Sequence, residues 1–132
     1  MSKENVEIVR AAATAFNRGD LEGWLADAHP EIEWHVLPDA PDPGPHQGRQ
    51  VVLARARLWQ ETLAGFRAEV EEYIDAGEYV ITPTRMRGRP PGSDVEVVLD
   101  EVYVSRVQDG KIVELREYRT KAEALEAVRL HR

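Results

Sequence analysis

Two glutamates in the last third of the chain could carry out acid–base chemistry: Glu101 and Glu117. They lie in VEVVLDEVYVSRVQDGKIVELREYR, residues 95–119, which reads as two strands joined at residues 108–110. An Asp-Gly pair between alternating apolar runs is typical of a β-hairpin. Because side chains alternate along a strand, Glu101 falls on the more apolar face of the first strand. A buried carboxylate is costly unless it is paired or neutralised, so Glu101 requires an explanation.

The direction of Glu117 depends on the length of the hairpin loop. A two-residue loop, Asp109-Gly110, turns one set of side chains inward: Ile112, Glu114, Arg116 and Tyr118. A three-residue loop turns the alternate set inward: Val113, Leu115 and Glu117. We favour the three-residue loop, because it leaves Glu114 and Arg116 in water and sets Glu101 opposite Glu117. Two carboxylates that close cannot both ionise cheaply, so one pKa should rise and give an acid or base that works near neutral pH.

Other residues could bind a substrate beside these acids. The predicted substrate-binding residues are Tyr103, Ser105, Leu115, Trp34, Phe16 and Trp59. Each aromatic residue also has a plain alternative, which is packing in the core. The two glutamates likewise have an alternative, which is an ion pair with Arg85 or Arg87.

Composition limits the classes of function. The 132 residues suit one domain, spanning 1–132, with a sizeable core. A net charge of −7 argues against nucleic acid, because phosphate binding needs a basic surface, and it suits a small apolar or weakly polar partner. No apolar run approaches the ~20 residues of a membrane span, and the N-terminus lacks the apolar core of a signal peptide. We therefore expect a cytoplasmic protein that binds no membrane.

The sequence offers no familiar cofactor or metal motif. There are no cysteines, and the four histidines do not stand at metal-ligand spacing. Glycine-rich phosphate and nicotinamide fingerprints are also missing. We therefore predict neither a metal nor a cofactor.

The order of elements indicates an α+β fold. Apolar periodicity and end signals predict helices up to about Asn17 and over Leu21–Ala28, Arg49–Leu63 and Ala122–Leu130. Strands are predicted over 32–36, 66–76 and 78–87 and in the hairpin. Pro83 inside a strand predicts an edge or a bulge. Four prolines in residues 37–48 exclude regular structure there, so we interpret this segment as a mobile rim loop over the pocket.

The outer face of the sheet carries a run of apolar residues. On the three-residue register they are Val98, Val102, Val104, Ile112 and Tyr118. An apolar patch on a face that should be wet marks a partner site, so we predict a homodimer through the sheet. The alternative is a monomer whose last helix folds back over these valines.

Three stretches resemble the nuclear-transport-factor-2-like superfamily in its SnoaL-like branch. They are FNRGDLEGWLADAHPEIEW at 16–34, EEYIDAGEYVI at 71–81, and DGKIVELREY with EALEA within 109–127. The resemblance implies a cone, a cystatin-like α+β barrel in which a curved antiparallel sheet wraps around the N-terminal helices. It also implies a ligand pocket at the open end, Glu117 pointing into that pocket, and frequent dimers.

The activities known in this superfamily match the chain only in part. At the positions of the ketosteroid isomerases' tyrosine and aspartate stand Ala12 and Val36, and Tyr103 replaces their second acid. Glu117 matches one acid of the epoxide hydrolases, but TPTRM at 82–86 does not complete their Asp–Arg–Asp set. Cyclases of the SnoaL type imply cofactor-free acid–base catalysis by Glu117 or Glu101. We therefore predict a small-molecule-binding protein that is either an acid–base isomerase, hydrolase or cyclase, or a non-catalytic binder.

Overall fold

The structure is a computed structural model, and it describes residues 2–131. Its helices are α1 (Ser2–Asn17), α2 (Leu21–Trp24), α3 (Arg49–Thr62) and α4 (Lys121–His131). Its strands are β1 (Ala28–His35), β2 (His46–Gln47), β3 (Ala64–Val70), β4 (Ile74–Ala76), β5 (Tyr79–Arg89), β6 (Val97–Gln108) and β7 (Lys111–Tyr118). No helix in the described part of the chain is long and apolar enough to span a membrane.

All seven strands form one curved, unclosed sheet in the order β2-β1-β7-β6-β5-β3, with β4 also paired to β5. The predicted α+β class is confirmed. Within residues 2–131 the pairing is antiparallel except between β1 and β7, which run parallel. Helices α1 and α3 bury Val9, Ala12, Val52 and Ala56 against the inner face, where they meet Trp34. The helices therefore form one wall of the space that the sheet encloses.

The hairpin of β6 and β7 departs from its predicted register. Its loop has two residues, Asp109 with a φ of 51° and Gly110 with a φ of 76°, as a type I′ turn requires. A bulge then follows, because Arg106 pairs with Glu114 although Val107 pairs with Ile112. The predicted three-residue loop is wrong, but the extra residue in the bulge restores the predicted facing of Glu117. Glu117 lies opposite Tyr103, and not opposite Glu101 as we predicted.

Helix α4 covers part of the outer face of the sheet. Ala124 and Val128 of this helix bury Val102 and Val104. The helix starts with the predicted capping box, in which Glu123 N–H donates to the Thr120 hydroxyl at 3.1 Å and this hydroxyl donates to the Glu123 carboxylate at 3.1 Å. Ile112, on the other side of the bulge, belongs to the inner core. The predicted exposed patch is therefore wrong for three of its five residues: Val102, Val104 and Ile112.

Two further predictions, the end of α2 and the place of Pro83, are wrong. Helix α2 ends at Trp24, not at Ala28, because Ala28 already pairs with Ile112 of β7. Pro83 lies in the middle of β5, which is not an edge strand. Its carbonyl accepts a hydrogen bond from Glu71 N–H at 2.9 Å, in the gap where β3 has ended and β4 has not begun. The missing N–H of Pro83 faces the same gap, so it removes no bond from a ladder.

Candidate functional site

A cavity of about 440 Å³ lies between the helices and the inner face of the sheet. Its wall is mainly apolar and includes the aromatic residues Phe16, Trp24, Trp34, Trp59 and Phe66. The Pro-rich segment contributes Leu37, Asp39, Ala40 and Pro41 to the wall, as predicted for a rim loop. The volume and character of the cavity suit a small organic molecule.

All eight site residues predicted from the sequence lie on this wall. They are Glu101, Glu117, Tyr103, Ser105, Trp34, Phe16, Trp59 and Leu115. Five of these residues sit at every second position of β6 and β7. They share one face of the hairpin because side chains alternate along a strand. Their location is thus established, whereas their roles in binding or catalysis stay predictions.

The aromatic rings contact one another in a chain along one side of the cavity. Phe16 meets Trp24 edge-on with ring centroids 5.3 Å apart, and Trp24 meets Trp34 edge-on at 5.9 Å. Phe66 also meets Phe16 edge-on, at 5.8 Å, and stacks on Trp59 at 6.2 Å. Such pairs add to the stability of an apolar cluster beyond the area that they bury. The rings give this side of the cavity an apolar surface.

Glu117 is held from three sides at the polar end of the cavity. Its side chain is only 7% exposed. The Trp34 indole Nε1–H donates to Oε2 at 2.9 Å, and the Leu37 backbone N–H donates to Oε1 at 3.3 Å. The Arg55 guanidinium lies 4.0 Å from Oε2. The Glu117 carboxyl group thus accepts two hydrogen bonds and faces one positive charge.

Glu101 lies beside Glu117 and is 7% exposed. Burial raises the pKa of Glu101 from 4.5 to about 8, with the negative charge of Glu117 and a hydrogen bond to Glu117 adding to the rise. Its Oε2 is buried and has no hydrogen-bond partner among the described residues. Glu101 is therefore mostly a neutral carboxylic acid at pH 7, able to donate a proton or a hydrogen bond.

Small polar side chains surround the two acids. Tyr103 faces Glu117 across the hairpin, and its hydroxyl donates to the Met86 sulfur at 3.6 Å, which is a weak acceptor. Burial raises the pKa of Tyr103, and the charges of Glu101 and Glu117 raise it further, so the phenol stays protonated. Thr82, Thr84 and Ser105 are buried on the same wall. The acids thus share this end of the cavity with a phenol hydroxyl and three small hydroxyls.

Arg55 of α3 is only 9% exposed and was not predicted as a site residue. Its guanidinium lies 4.4 Å from the centre of a Trp34 ring and binds Asp42 of the rim loop through two hydrogen bonds, of 2.7 and 3.1 Å. A signal was present, because Arg55 stands three residues after Val52 within the apolar stripe of α3.

The ion pairs that could have explained the acids lie elsewhere. Arg85 binds Asp100 at 2.8 Å, and Arg87 binds Glu69 at 2.6 Å and Glu96 at 2.8 Å. The alternative in which Arg85 or Arg87 neutralises Glu101 and Glu117 is therefore wrong.

Three outward-facing residues on β1 and β7 could share a metal ion. One ligand atom each from Glu33, His35 and Glu114 lie within 4.8 Å of one another. No motif predicted this group, because the pairing of β1 with β7 brings it together. Glu114 is already bound by Arg116 through hydrogen bonds of 2.7 and 3.2 Å. This guanidinium competes with any cation for the Glu114 carboxylate.

Comparison with known proteins establishes the family. The structure is similar to Bal32a from a soil-derived mobile gene cassette, with a TM-score of 0.81 and 22% identity over 96% of this chain and 97% of that one. It is similar to an NTF2-like protein of unknown function from Burkholderia pseudomallei K96243, with a TM-score of 0.78 and 26% identity over 95% and 97%.

A third similar structure is that of TerC co-crystallised with polyporic acid, with a TM-score of 0.77 and 22% identity over 96% of this chain and 98% of that one. No curated protein matches the chain. Residues 9–115 match the family described as SnoaL-like domain. The chain therefore belongs to the SnoaL-like family, within the NTF2-like superfamily.

Proposed function

We propose that this protein is a cofactor-independent acid–base enzyme that acts on a small, mostly apolar molecule bound in the cavity. One observation carries the proposal: two adjacent buried carboxyl groups, Glu101 and Glu117, lie on the wall of an apolar cavity, and burial beside Glu117 raises the pKa of Glu101 to about 8. A neutral acid beside a carboxylate is the pairing that general acid–base catalysis requires.

We assign a role to each of the two acids from its surroundings. Glu117 is the base, because the Trp34 and Leu37 N–H groups hold its carboxyl group in place on the cavity wall. Glu101 is the acid, because it holds a proton at neutral pH and donates to an oxygen of the substrate. In an isomerase or cyclase the base takes a proton from carbon while the acid stabilises the resulting enolate oxygen. In a hydrolase the base takes the proton from water instead.

The cavity supports the same substrate class. Its walls are aromatic and aliphatic apart from the end that holds the acids, so the substrate carries its polar atoms at one end. The similar protein TerC was co-crystallised with polyporic acid, which is consistent with a small organic ligand in this fold.

A second candidate is a non-catalytic binding protein with the same cavity. It is favoured by the contacts of Glu117, because the Trp34 and Leu37 N–H groups and Arg55 already satisfy this carboxylate within the protein. In that case the two acids stabilise the wall and orient a ligand without reacting with it.

Proton exchange at carbon separates the two candidates. The probe is 2-tetralone, a neutral aromatic ketone with acidic hydrogens next to its carbonyl group. Proton NMR in D₂O measures their replacement by deuterium, and native mass spectrometry measures binding of the same ketone. We expect the wild-type protein to accelerate the exchange, and Glu117→Gln to lower the acceleration by about 100-fold or more while binding persists.

The matched control is Glu114→Gln, which changes a glutamate of the same strand on its outer face. We expect the exchange rate of this variant to equal that of the wild type. Binding of 2-tetralone without accelerated exchange would favour the non-catalytic protein. Accelerated exchange that survives in Glu117→Gln would contradict the role of this residue as the base.

A further inference from the structure

The rim loop reaches the acid pair through one buried arginine. The Arg55 guanidinium donates two hydrogen bonds to Asp42 of the loop: from Nε to Oδ2 at 2.7 Å, and from Nη2 to Oδ1 at 3.1 Å. The third nitrogen, Nη1, lies 4.0 Å from Glu117 Oε2, which is beyond hydrogen-bond distance. Arg55 therefore stands between two carboxylates and is fully hydrogen-bonded to only one of them.

Trp34 fixes the position of this guanidinium. One of its rings lies 4.4 Å from the Arg55 guanidinium carbon, and its indole N–H donates to Glu117 at 2.9 Å. This cation–π contact holds the guanidinium over the ring but gives it no hydrogen-bond partner. The two hydrogen bonds to Asp42 therefore decide how close Arg55 comes to Glu117.

A buried guanidinium needs a carboxylate partner, since an unpaired buried charge is strongly destabilising. Without Asp42, Glu117 is the nearest partner for Arg55 among the described residues. A shift of about one ångström would convert the 4.0 Å approach into a hydrogen-bonded ion pair. Glu117 would then be neutralised and would lose its strength as a base.

We propose that Asp42 is a positioning residue that holds the Arg55 guanidinium away from Glu117 and so keeps this carboxylate able to accept a proton. The proposal rests on the proposed function, in which Glu117 is the base. It connects the rim loop with the chemistry of the cavity, because the residue that holds Arg55 belongs to the loop and not to the cavity wall.

The surrounding charges make the proposal measurable at Glu101. The groups that face Glu101 are Glu117, Tyr103, Arg55 and Arg119, and Arg119 is paired with Asp39 of the rim loop. The charge of Glu117 raises the pKa of Glu101, whereas the charge of Arg55 lowers it. Closer pairing of Arg55 with Glu117 should therefore lower the pKa of Glu101, because it offsets the negative charge of Glu117 and brings the positive charge of Arg55 into the acid pair.

The experiment follows the side-chain carboxyl carbon of Glu101 by carbon-13 NMR as the pH changes, with no ligand present. In Asp42→Asn the midpoint should fall by about one pH unit or more from its wild-type value. In Arg55→Met the midpoint should rise, because a lowering charge is lost. The double variant, Asp42→Asn with Arg55→Met, should have the same Glu101 midpoint as Arg55→Met alone, because Asp42 acts through Arg55.

The matched control is Glu126→Gln, which removes the carboxylate from an exposed arginine pair on α4. Its Glu101 midpoint should equal that of the wild type. An unchanged midpoint in folded Asp42→Asn would overturn the proposal. The proposal would also be overturned if Asp42→Asn lowered the Glu101 midpoint equally in the wild-type and the Arg55→Met backgrounds. Asp42 would then act through its own charge.

Loss of the folded state in Asp42→Asn would assign the residue to stability and would equally contradict the proposal. The titration needs neither ligand nor turnover, so its failure is distinguishable from failure of the proposed function.

Discussion

Glu101 places a carboxyl group inside the protein. The stability of the folded protein should therefore depend on pH. Its pKa rises from 4.5 in water to about 8 in the folded state, chiefly through burial. Between these two values the folded chain binds the proton more tightly than the unfolded chain. The stabilisation is therefore complete below pH 4.5 and is lost as the pH rises to about 8.

We accordingly expect Glu101→Gln to remove this loss. The variant should gain free energy of unfolding relative to the wild type on going from pH 5 to pH 9, by an amount on the order of a few kcal/mol. Urea unfolding at a series of pH values measures the difference. Glu126→Gln is the control, since its carboxyl is fully exposed on α4 and its pKa lies below the ordinary value. Parallel pH profiles for wild type and Glu101→Gln would contradict the burial of Glu101 as an acid.

The residues of the site were predictable to different degrees. Glu101 could be found because a charged side chain interrupts an apolar strand face, which is unusual without a function or a partner. Arg55 lay equally within an apolar stripe, but its partner Asp42 is 13 positions away in a loop without periodicity. A pattern reveals a buried charge more readily than the group that neutralises it, because the latter depends on tertiary structure.

At the scale of elements, the rim loop is fastened at a few points. Its backbone hydrogen bonds include Ala40 N–H to Leu37 at 3.0 Å and Gly48 N–H to Ile32 at 2.8 Å. Strand β2, His46–Gln47, also pairs with β1, so the prediction that 37–48 holds no regular structure is wrong at its end. Side-chain contacts add the Asp42–Arg55 and Asp39–Arg119 pairs. The long ladder between β5 and β6, in contrast, extends over ten residue pairs.

We therefore expect the backbone amides of residues 37–48 to exchange faster than those of Val97–Val107. Few ladder bonds and four prolines leave the loop able to open locally at low cost. Hydrogen–deuterium exchange followed by NMR provides the measurement, and the amides of β7 serve as a second reference. Protection in the loop as strong as in β6 would show that it is a rigid part of the wall.

Element boundaries that depend on local signals were predicted well. The capping box of Thr120 and Glu123 and the apolar stripe of α3 are properties of a few neighbouring residues. The bulge at Val113 was not predictable, because it depends on how β7 meets β1 as well as β6. Two errors cancelled in the hairpin: the loop is one residue shorter than predicted, and the bulge adds one residue.

At the scale of the whole molecule, a homodimer through the sheet stays a prediction, but its contact residues change. Val102 and Val104 are covered by α4, as in the monomeric alternative. Val98 remains 47% exposed, next to the exposed Val97 and Leu99. This part of β6 extends beyond the end of β7, which pairs with residues 102–108. An apolar strand end with an unpaired edge is a site where a second copy could bind.

Light scattering at micromolar concentration should give the mass of two chains for the wild type. Val98→Lys should shift the mass towards one chain, because a charged side chain would be buried in the contact. Val51→Lys, which changes an exposed valine on α3, should leave the mass unchanged. A wild type with the mass of one chain would end the dimer prediction.

The proposed function requires Glu101 and Glu117 to interact as an acid–base pair in the cavity wall. Carbon-13 NMR titration of the Glu101 carboxyl, in the wild type and in Glu117→Gln, tests it most directly. The midpoint should lie near pH 8 in the wild type and should fall in the variant, because the charge and the hydrogen bond of Glu117 both raise the pKa of Glu101. A wild-type midpoint near 4.5, or one that Glu117→Gln leaves unchanged, would contradict the claim.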